Sequence, residues 1–209
     1  RLSYPTEPCD EEIDDYNMNE LKEFNHFFKE QEIPAKTILL HEGQISKTMF
    51  FIEKGCLRTW INNDGKEITT QFFFEGDGVS SIESFRTNQP SLYSIESLEP
   101  CILKTLSQKD FQIVLESSPE LRKKLEDHLF RRLFQSQQLL YSFLKNKPKK
   151  RYEELIKQHP LIIQRVPQHY IASYLGITPV SQAEYETDNK THFFTIVIVQ
   201  SLYDFSTLH

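Results

Sequence analysis

Six cations lie within residues 147–184, and groups of this kind can neutralise the phosphates of a nucleic acid. The same stretch holds three acids, so its formal charge is +3. The whole chain of 209 residues has a formal net charge of −6, so the rest of the chain carries −9. A basic segment on an acidic body favours nucleic-acid binding, although a solvated helix face is the plainer alternative. The six are Lys147, Lys149, Lys150, Arg151, Lys157 and Arg165.

The stretch Arg151–Ser181 indicates which elements position these cations. It predicts a helix, a short linker, a second helix opening at Pro167, a turn at Gly176 and a third helix starting at Thr178. This order is typical of a helix-turn-helix, whose last helix lies in the DNA major groove. Thr178 suits the start of that helix because its side chain can cap the first turn.

The residues after Ser181 do not suit DNA. Glu184 and Glu186 are acids where a DNA-reading helix needs cations, and the β-prone segment 187–209 carries one cation, Lys190. Two explanations stay open: an altered C-terminus, for example from a shifted reading frame, or a helix-turn-helix that docks a partner instead of DNA. The abrupt change at Gln182 favours the first.

Short strand-like runs alternate with turn signals between Pro34 and about Leu106. This spacing predicts an antiparallel sandwich or small barrel, with a hairpin turn at Asn63-Asp64-Gly65. An acidic, proline-containing arm at residues 1–17 is predicted to be disordered, and a helix with Phe24 and Phe27 on one face follows it. The main runs are KTILL, KTMFFIEKG, CLRTWI and ITTQFFF.

A long helix is predicted from Ser118 to about Lys145, after a shorter helix that Ser107 and Asp110 cap. Its leucines recur in steps of four and seven, which favours either dimerisation or packing on the barrel. Asn146-Lys147-Pro148 ends it and is predicted to act as a hinge. The proposed dimer residues are Leu125, Leu129, Leu133 and Leu140.

Several function classes are disfavoured. No apolar run approaches the ~18–20 residues that span a bilayer, and no secretory leader is recognisable, so we expect a cytoplasmic protein. Cys9, Cys56 and Cys101 are widely spaced, which indicates free thiols. The histidines show no zinc-binding spacing, and nucleophile-elbow and glycine-rich nucleotide motifs are missing. We therefore predict neither a metal centre nor an enzyme.

The order of these parts resembles the Crp/Fnr family of bacterial transcription regulators over about Met18–Ser181. The best-matched blocks are Glu42-Gly43, Phe50–Arg58, Phe72–Phe85 and the helix-turn-helix. The resemblance implies an α+β fold: an antiparallel, jelly-roll-like and cyclic-nucleotide-binding-like β-roll, a long dimerisation helix, and a C-terminal winged-helix-type helix-turn-helix that looks altered after Ser181.

The resemblance also implies a division of the chain and a mode of action. We expect an arm at 1–17, a β-roll sensor at 18–117, a dimerisation helix at 118–146, a DNA-binding module at 147–186 and an atypical tail at 187–209. A homodimer would bind double-stranded DNA, and the module would rotate about Asn146–Pro148 between two states. The implied DNA-contacting residues are Lys149, Lys150, Arg151, Arg165, Gln168, His169, Thr178 and Ser181.

The cyclic-nucleotide branch of this fold suggests an effector pocket. There, a short helix and a glutamate hold the ribose phosphate, and an arginine a few residues later neutralises it. Here Glu83 is the expected acid, but the arginine position falls on residues 89–91, and Arg86 is displaced along the loop. We therefore expect an effector other than cyclic AMP, or none; a polar loop of caps and turns is the alternative. The candidate residues are Gly78, Ser80, Ser81, Glu83, Arg86, Ser91 and Tyr93.

Overall fold

The computed structural model describes residues 22–178. The predicted arm, the tail, Ser181, Glu184 and Glu186 lie outside this range. By packing, the described residues form two compact units, one of residues 22–59 with 72–134 and one of residues 60–71 with 135–178. In this part of the chain, no helix is long and apolar enough to cross a membrane.

Eight strands of the described range form two four-stranded sheets, in the orders β1-β8-β3-β6 and β2-β7-β4-β5. The pairings of β8 with β1 and β3, and of β2 with β7, are antiparallel, so the predicted antiparallel β-roll is confirmed. The strands are β1 (Lys29–Ile33), β2 (Ile38–Leu40), β3 (Thr48–Lys54), β4 (Leu57–Asn63), β5 (Lys66–Phe73), β6 (Gly78–Val79), β7 (Ser94–Ser97) and β8 (Cys101–Ser107).

The predicted hairpin joins β4 and β5. Its two turn residues, Asp64 and Gly65, have left-handed φ angles of 51° and 85°. Such a turn follows the right-handed twist of the paired strands, and it favours the Asp-Gly pair found here. The Asn62 side chain supports the turn, since its Oδ1 accepts a 2.8 Å hydrogen bond from the Gly65 amide.

Strand β3 is buried on both faces. Phe50 and Ile52 belong to a first apolar core, while Met49 and Phe51 belong to a second one that includes Val114. Successive side chains of a strand point to opposite sides, so one strand can serve two cores. Burial on both faces explains why its sequence is an unbroken apolar run.

Three helices follow in the first part of the chain: α1 (Ile82–Thr87), α2 (Gln108–Ser117) and α3 (Pro119–Lys145). The predicted cap of α2 is confirmed, because Ser107 Oγ accepts a 3.1 Å bond from the Asp110 amide. The predicted long helix is confirmed as α3. The segment expected as an N-terminal helix is a short 3-10 helix, Lys22–Phe27, whose phenylalanines pack on the second core.

The C-terminal described residues form α4 (Pro148–Gln158), α5 (Pro160–Arg165) and α6 (Gln168–Leu175). The expected linker before Pro167 is therefore partly helical, since Pro160 is favourable in a first helical turn. Gly176 ends α6 with a φ of +62°, and the next amide bonds back to the Ala172 carbonyl at 2.9 Å. This is the glycine turn that the sequence predicts.

Candidate effector pocket and nucleic-acid interface

Buried serines gather around the start of α1. Ser46 Oγ lies 2.9 Å from Ser80 Oγ, and Ser91 Oγ lies 2.9 Å from Ser81 Oγ. Ser84 Oγ accepts a 2.9 Å bond from the Ser46 amide. We call these side chains the hydroxyl cluster; none of the five is more than 5% exposed. Hydroxyls can donate and accept, so the cluster satisfies its own polar atoms away from water.

Tyr93 completes this cluster with its phenol. The Tyr93 hydroxyl donates to the Ser80 carbonyl at 3.1 Å, and the Ser81 hydroxyl and the Ile82 amide lie beside it. Burial raises the pKa of Tyr93 above its ordinary value, and the nearby Ser81 hydroxyl and Ile82 amide oppose the rise only in part. The phenol is therefore neutral at physiological pH, and it occupies the start of α1, where the resemblance places a phosphate.

Two expected pocket residues are exposed at the surface of α1. Glu83 and Arg86 are exposed on α1, whereas Ser84 and Phe85 are its buried positions. Successive side chains of a helix are about 100° apart around its axis, so they cannot all face the protein interior. The apolar side chain of Phe85 is buried, and the face that carries it therefore points inward. The structure thus brings together Ser80, Ser81, Ser91 and Tyr93. Gly78 lies in β6, opposite Phe51 of β3.

A cation from α3 approaches this cluster, and sequence analysis did not anticipate it. The Arg132 guanidinium lies 4.2 Å from the centroid of the Phe73 ring and 3.7 Å from Asp77 Oδ1. Its positive charge also acts to lower the pKa of Tyr93, although burial prevails. No local motif marks this residue, because it reaches the cluster from a helix some forty positions further along the chain.

A buried ion pair lies between neighbouring strands β4 and β7. Arg58 Nη2 and Nε donate to Glu96 Oε2 at 2.6 Å and 2.8 Å. Arg58 is 1% exposed and Glu96 8%. A buried charge requires a partner of opposite charge. Without that partner, removal of the charged group from water costs roughly several kcal/mol. Neither residue was predicted from the sequence to have a role.

Arg151 has a different setting from the exposed phosphate contact that the sequence suggested. Its Nε and Nη2 donate to the Leu175 carbonyl at 3.1 Å and 2.8 Å, and its Nη1 donates to the Asn146 carbonyl at 3.0 Å. The guanidinium also lies 4.7 Å from the centroid of the Phe143 ring. Arg151 therefore ties the ends of α3 and α6 together.

Glu154 holds the expected hinge from the other side. Its carboxylate accepts bonds of 2.8 Å and 2.9 Å from the Asn146 side-chain amide, and one of 2.9 Å from Ser142 Oγ. Asn146 is thus bonded through both its side chain and its carbonyl. A rotation about Asn146–Pro148 would have to break these contacts.

The other expected DNA contacts are mostly at the surface. Lys149, Lys150, Gln168, His169 and Thr178 are exposed, and Arg165 is half-buried. Lys150 Nζ lies 3.9 Å from Glu154 Oε1, a distance that leaves little pairing energy at an exposed site. Among the described residues, no group of three or more histidine, cysteine or acidic side chains is placed to hold a metal ion.

Helix α3 exposes apolar side chains along much of its length. Of the expected dimer leucines, Leu125 is half-buried, while Leu129, Leu133 and Leu140 are 37%, 50% and 56% exposed. Further exposed apolar side chains on the same helix are Phe130, Phe134, Tyr141, Phe143 and Leu144.

Comparison with known proteins agrees with this architecture. Residues 30–118 match the family model of the cyclic nucleotide-binding domain. The cAMP-activated global transcriptional regulator CRP of Salmonella typhimurium is 26% identical over 48% of this chain and 48% of its own length. Residues 30–118 therefore form a cyclic nucleotide-binding domain, and the comparisons support a likeness of the chain to regulators of the Crp/Fnr type.

Solved structures of two other regulators share the fold. The c-di-GMP responsive global regulator CLP of Xanthomonas campestris superposes with a TM-score of 0.69 at 15% identity, over 84% of this chain and 93% of that one. FixK2 of Bradyrhizobium japonicum gives a TM-score of 0.69 at 11% identity, over 79% and 85%. The matched segment spans about half the length of the curated CRP relatives.

Proposed function

We propose that this chain is a cytoplasmic, homodimeric, DNA-binding transcription regulator whose β-roll senses a small effector other than cyclic AMP. The observation that carries the proposal is the order of its parts: a cyclic nucleotide-binding domain at 30–118, the long helix α3, and then α4–α6 with the glycine turn of a helix-turn-helix. In such a chain α6 is the supporting helix, and the residues after Thr178 read DNA.

The test is selection of bound sequences from a pool of random DNA duplexes, performed with the purified protein at two salt concentrations. Enrichment of a two-fold symmetric site supports a sequence-reading dimer. Weak binding that disappears at the higher salt, without enrichment, contradicts the proposed regulator, because phosphate contacts alone then account for it.

Cyclic AMP is expected to leave the melting temperature of this protein unchanged at millimolar concentration. Positions 89–91 carry no cation for the phosphate, and the Tyr93 hydroxyl lies beside the Ile82 amide at the start of α1. A ligand that binds only the folded state would raise the melting temperature with its concentration. Thermal denaturation checks this, with the cAMP-activated Salmonella relative as positive control. A dose-dependent rise in this protein would contradict the prediction.

Replacement of Leu133 by Asp on α3 is expected to convert a dimer to a monomer. Leu133 is half exposed in the single chain, and a charge at the centre of an apolar helix contact loses its hydration when the contact forms. Light scattering after size exclusion measures the mass. Gln137→Asp, at an exposed polar position of the same helix, is the control. Equal masses for Leu133→Asp and the unchanged protein would contradict an α3 dimer.

A sensor that docks a protein partner instead of DNA is the second candidate, which the acids Glu184 and Glu186 favour. Exchange of both for Arg is expected to strengthen DNA binding if the chain is a regulator with an altered C-terminus, since two phosphate repulsions become attractions. DNA affinity at fixed salt measures this. Unchanged affinity favours the docking module.

A further inference from the structure

Among the residues that the structure describes, strand β5 lies at the edge of its sheet, and the side chain of Ser173 in α6 bonds to its backbone. Ser173 Oγ donates to the Glu67 carbonyl at 2.9 Å and accepts from the Thr69 amide at 3.0 Å. An edge strand presents such groups in a row to any neighbour that can pair with them. Here the Ser173 hydroxyl pairs with the edge of β5, and it makes the bonds to Glu67 and Thr69 at the same time.

The arrangement reproduces one step of a β-ladder. In a parallel pair, each residue donates to a carbonyl and accepts from an amide two positions further along the adjacent strand. The Ser173 hydroxyl makes the same two bonds with Glu67 and Thr69. The geometry is directional, so it fixes the position of α6 along the strand as well as its distance.

Both sides of this contact are anchored. Thr69 is 2% exposed, while Ile171, Ala172 and Leu175 are the buried face of α6. The hairpin tip, residues 60–71, groups by packing with the C-terminal helices. A displacement of either element therefore changes the two bonds to Ser173.

We propose that Ser173 is a latch that couples the β4–β5 hairpin to the supporting helix of the helix-turn-helix. Strands β4 and β5 continue from the tip into the β-roll, so the latch gives the sensor a direct mechanical connection to α6. Coupling of this kind is reciprocal: loosening the hairpin loosens α6, and loosening α6 loosens the hairpin. The regulatory meaning of the latch rests on the proposed function, but its existence does not.

Hydrogen exchange of the full chain, followed by mass spectrometry without DNA, tests the latch. In Ser173→Ala, peptides that cover residues 66–71 are expected to exchange about tenfold faster, since two hydrogen bonds are lost. Ser173→Thr keeps a hydroxyl and is expected to retain most of the protection. Ser117→Ala is the matched control, because that hydroxyl bonds to Ile113 within its own helix.

The reciprocal variant lies at the other end of the contact. Gly65→Ala strains the hairpin turn, where φ is +85° and no atom approaches the added methyl group. Peptides that cover residues 168–176 are expected to exchange several-fold faster in this variant. Unchanged exchange of 66–71 in Ser173→Ala, or of 168–176 in Gly65→Ala, would overturn the latch.

Low-salt DNA affinity of the same variants separates the latch from the proposed function. If neither the unchanged protein nor any variant binds DNA, the proposed function fails, while the exchange result still decides the latch. If the exchange rates do not change but DNA is bound, the latch fails and the proposed function stands.

Discussion

Glu96→Ala is expected to lower the free energy of unfolding by about 3–5 kcal/mol, because it leaves the Arg58 guanidinium buried without its carboxylate. The Arg58–Glu96 pair has donor–acceptor distances of 2.6 Å and 2.8 Å and is almost completely buried. Among the described ion pairs, its disruption is therefore expected to cost the most stability. Urea denaturation followed by circular dichroism measures the change, with the slope checked for two-state behaviour.

Two further variants separate the buried charge from the loss of a side chain. Glu53→Ala removes a carboxylate that pairs with Lys104 at 2.5 Å, but both side chains are about a quarter exposed, so about 1 kcal/mol or less is expected. In Arg58→Met with Glu96→Leu, apolar side chains replace both charges, and most of the stability should return. Equal losses for Glu96→Ala and Glu53→Ala would show that burial does not decide the cost.

Arg151→Ala is expected to lower the free energy of unfolding by about 2–3 kcal/mol, since a charged group donates three bonds to two helix-end carbonyls. Arg151→Lys should recover little of this loss, because an ammonium lacks the planar fork that reaches Leu175 and Asn146 together. Chemical denaturation in the absence of DNA measures both variants.

A phosphate contact would behave in the opposite way. Lysine keeps the charge, so Arg151→Lys would then preserve both stability and the salt dependence of DNA binding. Lys150→Ala is the control, because Lys150 is exposed and should affect the salt dependence without affecting stability. Full stability of Arg151→Ala would contradict the structural role of Arg151.

The same contacts alter how a switch at Asn146–Pro148 would work. Asn146 bonds to Glu154 through its side chain and to Arg151 through its carbonyl. A rotation at this point would exchange those bonds for others, so a ligand must favour the second state by at least the difference in free energy between the two sets of contacts. The sequence predicted a hinge because a proline such as Pro148 marks the end of a helix. The proline does not indicate which contacts fix the two neighbouring helices at this point.

The sequence by itself determined most of the described elements and their order. The Asp64-Gly65 pair specified the hairpin, Ser107 with Asp110 specified a cap, and Pro119 with the leucine repeat specified α3. Each signal acts over a few neighbouring residues, through a preferred φ, a capping bond or a helical period. Such local preferences do not depend on the rest of the fold, and they can therefore be recognised in the sequence before the fold is known.

Only the tertiary structure decided which side chains meet. It turned Ser84 inward and Glu83 outward on α1, and it brought Arg132 from α3 towards Tyr93. It also paired Arg58 with Glu96, 38 positions apart, and Ser173 with β5, more than 100 positions apart. Contacts at such separations depend on how whole elements pack, and packing is decided by the summed burial of many apolar side chains. The sequence around any single residue therefore does not indicate which distant residue it will contact.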